Sequence, residues 1–144
     1  MFSQPVKHVM ERKRLLTAPP DITVSTAAKQ MAKRKVGAVL VVEEEKLVGI
    51  FTERDAVFRV IAQDLDCRTA RLAEVMTPSP KTVGPDKSFG YALLVMHENG
   101  FRHLPVIEDG KLVGIVSARN ALDPDLEEFV SEARRREHFR RERE

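Results

Sequence analysis

The feature that most constrains this chain is that it repeats itself. Lys46-Leu47-Val48-Gly49-Ile50 recurs unchanged as Lys111-Leu112-Val113-Gly114-Ile115, 65 residues later. At that same offset, with no gap, Thr17 aligns with Thr82, Pro20-Asp21 with Pro85-Asp86, Ala27 with Ala92 and Met31 with Met96. Val41, Glu43, Arg54 and Ala56 carry the register on to Val106, Glu108, Arg119 and Ala121. A gapless register over about forty residues marks a duplicated supersecondary unit. One such unit is too small to bury its helices and sheet alone, so two packed units are expected to share the work.

Each copy parses the same way. An extended piece (Leu15 to Ala18, Pro80 to Val83) leads into a Pro-Asp turn. Thr23 and Ser88 follow as helix N-caps, because a hydroxyl there can accept from the free backbone N–H groups. Val24, Ala27, Ala28 and Met31 then fall at i, i+3, i+4 and i+7, as do Phe89, Ala92, Leu93 and Met96, which predicts one apolar stripe per helix. Gly100 is a helix-stop signal, with Gly37 in that role in the first copy. Two strands follow, Ala38–Val42 and Lys46–Phe51, matched by His103–Ile107 and Lys111–Val116. Glu108-Asp109-Gly110 suits the hairpin between them, and Glu43-Glu44-Glu45 makes the same connection without a glycine. A second helix starts near Glu53 and carries Val57, Phe58, Val60 and Ile61; its counterpart near Ala118 ends by Pro124. The expected fold class is α+β, two pseudo-symmetric β-α-β-β-α units. The first spans 5–62, a linker 63–76 with a short helical piece at Thr69 to Met76, and the second 77–122. His8-Val9-Met10 resembles Glu74-Val75-Met76, so each unit is expected to have the same lead-in.

Composition narrows the class. The chain's 144 residues are 42% hydrophobic and 32% charged, ordinary for a globular protein. No run reaches the ~18 apolar residues of a membrane helix, so no membrane role is expected. The single cysteine, Cys67, excludes an intrachain disulfide and fits a cytoplasmic location. His8, His97, His103 and His138 lack metal-ligand spacing. No nucleophile elbow, Walker loop or Rossmann glycine pattern is present, so neither a metal site nor an enzyme is expected.

Two segments point to a family. Leu47-Val48-Gly49-Ile50-Phe51-Thr52-Glu53-Arg54-Asp55 resembles the strand-to-helix motif of a cystathionine-β-synthase (CBS) domain, and so does Leu112-Val113-Gly114-Ile115-Val116-Ser117-Ala118-Arg119-Asn120. Gly100-Phe101-Arg102-His103-Leu104-Pro105-Val106 resembles the strand before it. The likeness covers roughly 5–122 and implies a CBS pair. It implies a non-catalytic regulatory module that binds AMP, ADP, ATP, NAD or S-adenosylmethionine in its clefts and signals to an unidentified partner protein. No cofactor is required, and a homodimer through the CBS helices is expected.

The chemistry of that corner is readable without the family. A strand ends, a hydroxyl sits at the turn and a helix begins, so free N–H groups and the positive helix end favour a phosphate. Asp55, three residues after Thr52, can accept from two ribose hydroxyls. The alternative use of the same residues is structural: Thr52 as N-cap and Asp55 as a first-turn acid. The second copy keeps a hydroxyl in Ser117 but replaces the acid with Asn120, predicting a weaker site. Arg102 and His103 stand where the first copy has Gly37 and Ala38. In the family, basic residues there reach the phosphates of a nucleotide in the neighbouring unit, so the pair is expected to complete the Asp55 site. Arg54 and Arg119 sit beside the motif and add charge. The likeness also puts Thr17, Ala38, Thr82 and Pro105 among the nucleotide-binding candidates.

The tail, 123–144, is expected to form a basic helix. Arg134 to Arg143 holds six arginines against two acids, and basic residues suit a helix C-terminus. The rival functional reading uses this tail, with the folded pair as scaffold for nucleic-acid binding. A net charge of +2 is too small to imply nucleic acid by itself.

Overall fold

The computed structural model describes residues 2–121, 129, 131–138 and 140. The expected duplication is present in the order of elements. The first unit runs β1 (Thr17–Ala18), α1 (Val24–Arg34), β2 (Ala38–Glu43), β3 (Lys46–Thr52) and α2 (Glu53–Asp55), which continues as a π-helix over Ala56–Ile61. A short α3 (Leu72–Val75) and β4 (Thr77–Pro78) lead to the second unit: α4 (Phe89–Asn99), β5 (His103–Glu108), β6 (Lys111–Ser117) and a 3-10 turn at Ala118–Ala121.

Register repeats as closely as sequence does. β2 and β3 are antiparallel with Leu40 opposite Ile50, and β5 and β6 with Pro105 opposite Ile115. Both hairpins carry a register shift at the same place, between Val41 and Val42 and between Val106 and Ile107. β1 runs parallel to β2 with Ala18 opposite Val41; a parallel bridge of Val83 to Val106 stands in its place in the second unit.

The lead-ins are exchanged. β4, which precedes the second unit, pairs with β3 of the first, while Glu11 bridges to Ile115 of the second. Leu72 and Val75 are buried in the first core with Val39, Val41 and Phe51. Val6, in a 3-10 turn at Val6–His8, is buried in the second core with Phe89, Leu104 and Val116. Thioether against glycine fixes each crossing. A Cβ at Gly114 would lie 2.6 Å from Met10 Sδ, and one at Gly49 would overlap Met76 Sδ. A third cluster joins the units back to back, with Ala38, Leu40 and Ile50 against Leu112 and Ile115.

Some expectations need correction. Lys35, not Gly37, ends α1: it is left-handed (φ 56°), as its counterpart Gly100 is (φ 71°). Gly37 instead lies beside the Glu53 carboxylate, where a Cβ would meet Oε1 at 3.0 Å. Ala28 is exposed while Val24, Ala27 and Met31 are buried, so the stripe on α1 is narrower than its spacing predicts. Of the apolar residues expected along the helix after Glu53, Val60 is buried, but Val57, Phe58 and Ile61 are exposed. This stretch is wound by i→i−5 bonds, such as Ala62 N to Val57 O at 2.8 Å. Pro124, the expected stop of the last helix, and most of the 123–144 tail lie outside the described residues. The tail's described residues, 129, 131–138 and 140, are helical and exposed.

Candidate functional site

The site is built at the end of β3. Thr52 has extended backbone (φ −121°, ψ 169°) and caps α2, its Oγ1 accepting from Asp55 N. Thr52 N donates to Asp55 Oδ2 at 2.9 Å, which closes a capping box. Asp55 is therefore buried, at 9% exposed, with one oxygen committed to its own turn. Its other oxygen faces Arg59 Nε at 3.4 Å. The Arg59 Nη1 donates to the Met76 carbonyl at 2.9 Å, so the acid is tied to the segment that crosses between units. The capping role is realised, and Asp55 also lines a cleft.

That space is a cleft of about 770 Å³. Thr52, Arg54 and Asp55 line it from the first unit, and Phe101, Arg102 and His103 from the second. The duplication thus brings together five candidate residues from two units. Arg102 is exposed and its side chain makes no hydrogen bond or ion pair among the described residues. Burial pushes His103 below the usual histidine range; Glu53 across the cleft pulls it back up, and Arg102 adds a smaller push down. Arg54 donates through Nη1 to the Gly100 carbonyl of the second unit at 2.6 Å.

The remaining candidates do not line this cleft. Ser117 and Asn120 form the equivalent corner of the second unit, with Ser117 N donating to Asn120 Oδ1 at 2.8 Å. An amide oxygen there takes the place of the carboxylate, and the return bond of Asp55 N to Thr52 Oγ1 has no counterpart among the described residues. Arg119 is exposed beside them. Ala38 is buried opposite Thr52 in the hairpin, and Pro105 is buried in β5. Thr17 and Thr82 are exposed on the leading segments.

Sequence reasoning missed Arg59 and Lys81, which also line the cleft. Arg59 had a local signal, an i,i+4 acid–base pair with Asp55. Lys81 had none: its counterpart at the 65-residue offset is Leu16, which is buried.

The comparisons agree with this architecture. The CBS domain family matches residues 6–62 and again 72–126. CBS domain-containing protein CBSCBSPB5 of Arabidopsis thaliana is 37% identical over 109 residues, covering 75% of this chain and 20% of the relative. An uncharacterized 17.7 kDa protein of Acidianus ambivalens is 38% identical over 109 residues, covering 74% of this chain and 65% of the relative. The chain therefore spans only a fifth of the Arabidopsis protein's length. Among solved structures, an uncharacterized conserved protein from Pyrococcus horikoshii has a TM-score of 0.80 at 29% identity, over 87% of this chain and 94% of that one. The CBS domain protein PAE2072 from Pyrobaculum aerophilum, complexed with AMP, has a TM-score of 0.73 at 26% identity, over 81% and 89%. The CBS domain pair of protein MJ0100, in complex with 5′-methylthioadenosine and S-adenosyl-L-methionine, has a TM-score of 0.76 at 26% identity, over 87% and 98%.

Proposed function

The chain belongs to the CBS domain family, and from that premise we propose that it is a regulatory module that binds an adenine nucleotide in the Asp55 cleft and performs no chemistry. The observation that carries this reading is the pairing of walls. One unit presents a hydroxyl, a helix start and a carboxylate; the other presents Arg102, a cation with no partner among the described residues, and His103. A carboxylate suits ribose hydroxyls, and a guanidinium beside a helix N-terminus suits a phosphate. The AMP and S-adenosyl-L-methionine complexes of the structural relatives support an adenosyl ligand. Asn120 leaves the second corner without charge assistance, so the Asp55 cleft is the principal site.

Occupancy would be read by a partner through the packing of the two units, since a ligand touching both favours the arrangement that fits it. Self-association through the helices has support in the apolar residues left outside: Phe58 is 58% exposed and Ile61 67% exposed.

The deciding experiment titrates AMP and adenosine into the wild type and Arg102→Ala. Removing the arginine should cost AMP about 1.5–3 kcal/mol, the range for a hydrogen bond to a charged group, and leave adenosine unchanged. Equal losses for both ligands would remove Arg102 from the phosphate and sink this assignment.

A further inference from the structure

We propose that Arg54 is the clasp that fixes the width of the cleft, and is not itself a contact to the phosphate. The proposal rests on the reading of the cleft as a nucleotide site. Arg54 directly precedes Asp55 in the same helical turn, yet its side chain leaves its own unit. Its Nη1 donates to Gly100 O at 2.6 Å, across 46 residues of chain. Its guanidinium also lies over the Phe58 ring, 5.6 Å from the centroid.

The residue it grips is well chosen mechanically. Gly100 is the left-handed cap where α4 ends, and the space where its Cβ would stand is open to 4 Å. Gly100 therefore has no side-chain packing to hold it, and Arg54 supplies a hold from the opposite unit. The next residues are the cleft wall itself. Phe101 N is tied back to Met96 O at 3.1 Å, and the Arg102 carbonyl accepts from Ala118 N at 2.9 Å. Between them the clasp keeps Asp55, one residue after Arg54, at a set distance from Arg102, two residues after Gly100.

The contrast with Arg102 assigns the roles. Arg54 has a donor committed to a carbonyl and a face committed to an aromatic ring. The Arg102 side chain has no hydrogen bond or ion pair among the described residues and is available to an anion. One arginine holds the walls and the other meets the charge. A change in width is felt by any ligand that spans the cleft, charged or not.

Two measurements test this. The first titrates Arg54→Ala and Arg102→Ala with AMP and with adenosine. Arg54→Ala should weaken both ligands by the same factor, up to about fivefold, the scale of one solvent-exposed charged contact; Arg102→Ala should weaken AMP alone. A loss confined to AMP in Arg54→Ala would make Arg54 a phosphate ligand and overturn the proposal. The second needs no ligand: amide hydrogen exchange at Phe101 and Ala118 should quicken in Arg54→Ala, again by up to about fivefold, while Leu40, bonded to Leu16 O within the first unit, stays unchanged. Unaltered exchange at Phe101 and Ala118 overturns the clasp. Faster exchange there in a protein that binds neither ligand would support the clasp and discard the nucleotide reading.

Discussion

In the first unit the bulky core residue is Phe51 at the end of β3, and α1 begins with Val24; in the second, β6 carries Val116 in the place of Phe51 and α4 begins with Phe89 in the place of Val24. All four are buried. The copies have traded a phenylalanine between helix and strand while keeping the same elements, which is what a core constrained by filled volume permits. The corners tell the opposite story. There each strand-end N–H and hydroxyl bonds the side chain three residues on, Thr52 to Asp55 and Ser117 to Asn120, but the acceptor is a carboxylate in one corner and an amide in the other. Cores tolerate exchange because packing is collective, whereas the charge of a corner changes with a single residue.

The largest effect should come from breaking the trade. Phe51→Ala and Phe89→Ala should each cost about 3–5 kcal/mol, the usual cost of deleting a buried aromatic. Chemical denaturation measures this. The sharper test moves Phe51→Val together with Val24→Phe, making the first core resemble the second; the double variant should be more stable than Phe51→Val alone. A double variant that is worse would mean that the cores are filled differently in detail.

Next is the corner comparison. Asp55→Ala should weaken AMP by about 1.5–3 kcal/mol, and Asn120→Ala should do so by half or less, since charge assistance roughly doubles a hydrogen bond. Calorimetry on the two variants decides it, and equal losses would deny the acid any special role.

The hairpins offer a smaller contrast. Asp109 and Gly110 are left-handed (φ 50° and 78°), and so are Glu44 and Glu45 (φ 50° and 65°). Glutamate in that region costs about 1 kcal/mol that glycine does not. Glu45→Gly should therefore raise stability by up to about 1 kcal/mol in a thermal melt. No gain would show that neighbouring contacts offset the strain.

The smallest effect is confined to a pH window. His103 has Ala38 as its counterpart, so only the second unit has a titrating group at this position. Burial lowers its folded pKa, so the unfolded chain takes up the proton first as pH falls. Its contribution is complete above the unfolded value near 6.5 and is lost as pH drops through the lowered folded value. Wild type should lose stability over that range more steeply than His103→Gln. Parallel curves would mean that His103 does not couple to folding.

The duplication, the order of elements and the residues of both corners were legible in the sequence, because they rest on short-range relations. A strand alternates, a helix returns every third or fourth residue, and Thr52 meets Asp55 within one turn. The stop of α1 was misread because a left-handed lysine leaves no local trace of the kind that Gly100 does. The apolar residues after Glu53 were read without a face, and only the structure shows Val60 turned inward and Val57, Phe58 and Ile61 outward.

Only the tertiary structure decided which unit each lead-in serves, since Met10 and Met76 have similar surroundings in sequence and opposite destinations in space. It also decided what spans the cleft. That Arg54 meets Gly100, and that Lys81 faces the same space as Asp55, depends on how two sheets pack through Leu40, Ile50 and Ile115. Periodicity determines where a side chain points relative to its own element; the distance between two elements is set by the summed packing of everything between them.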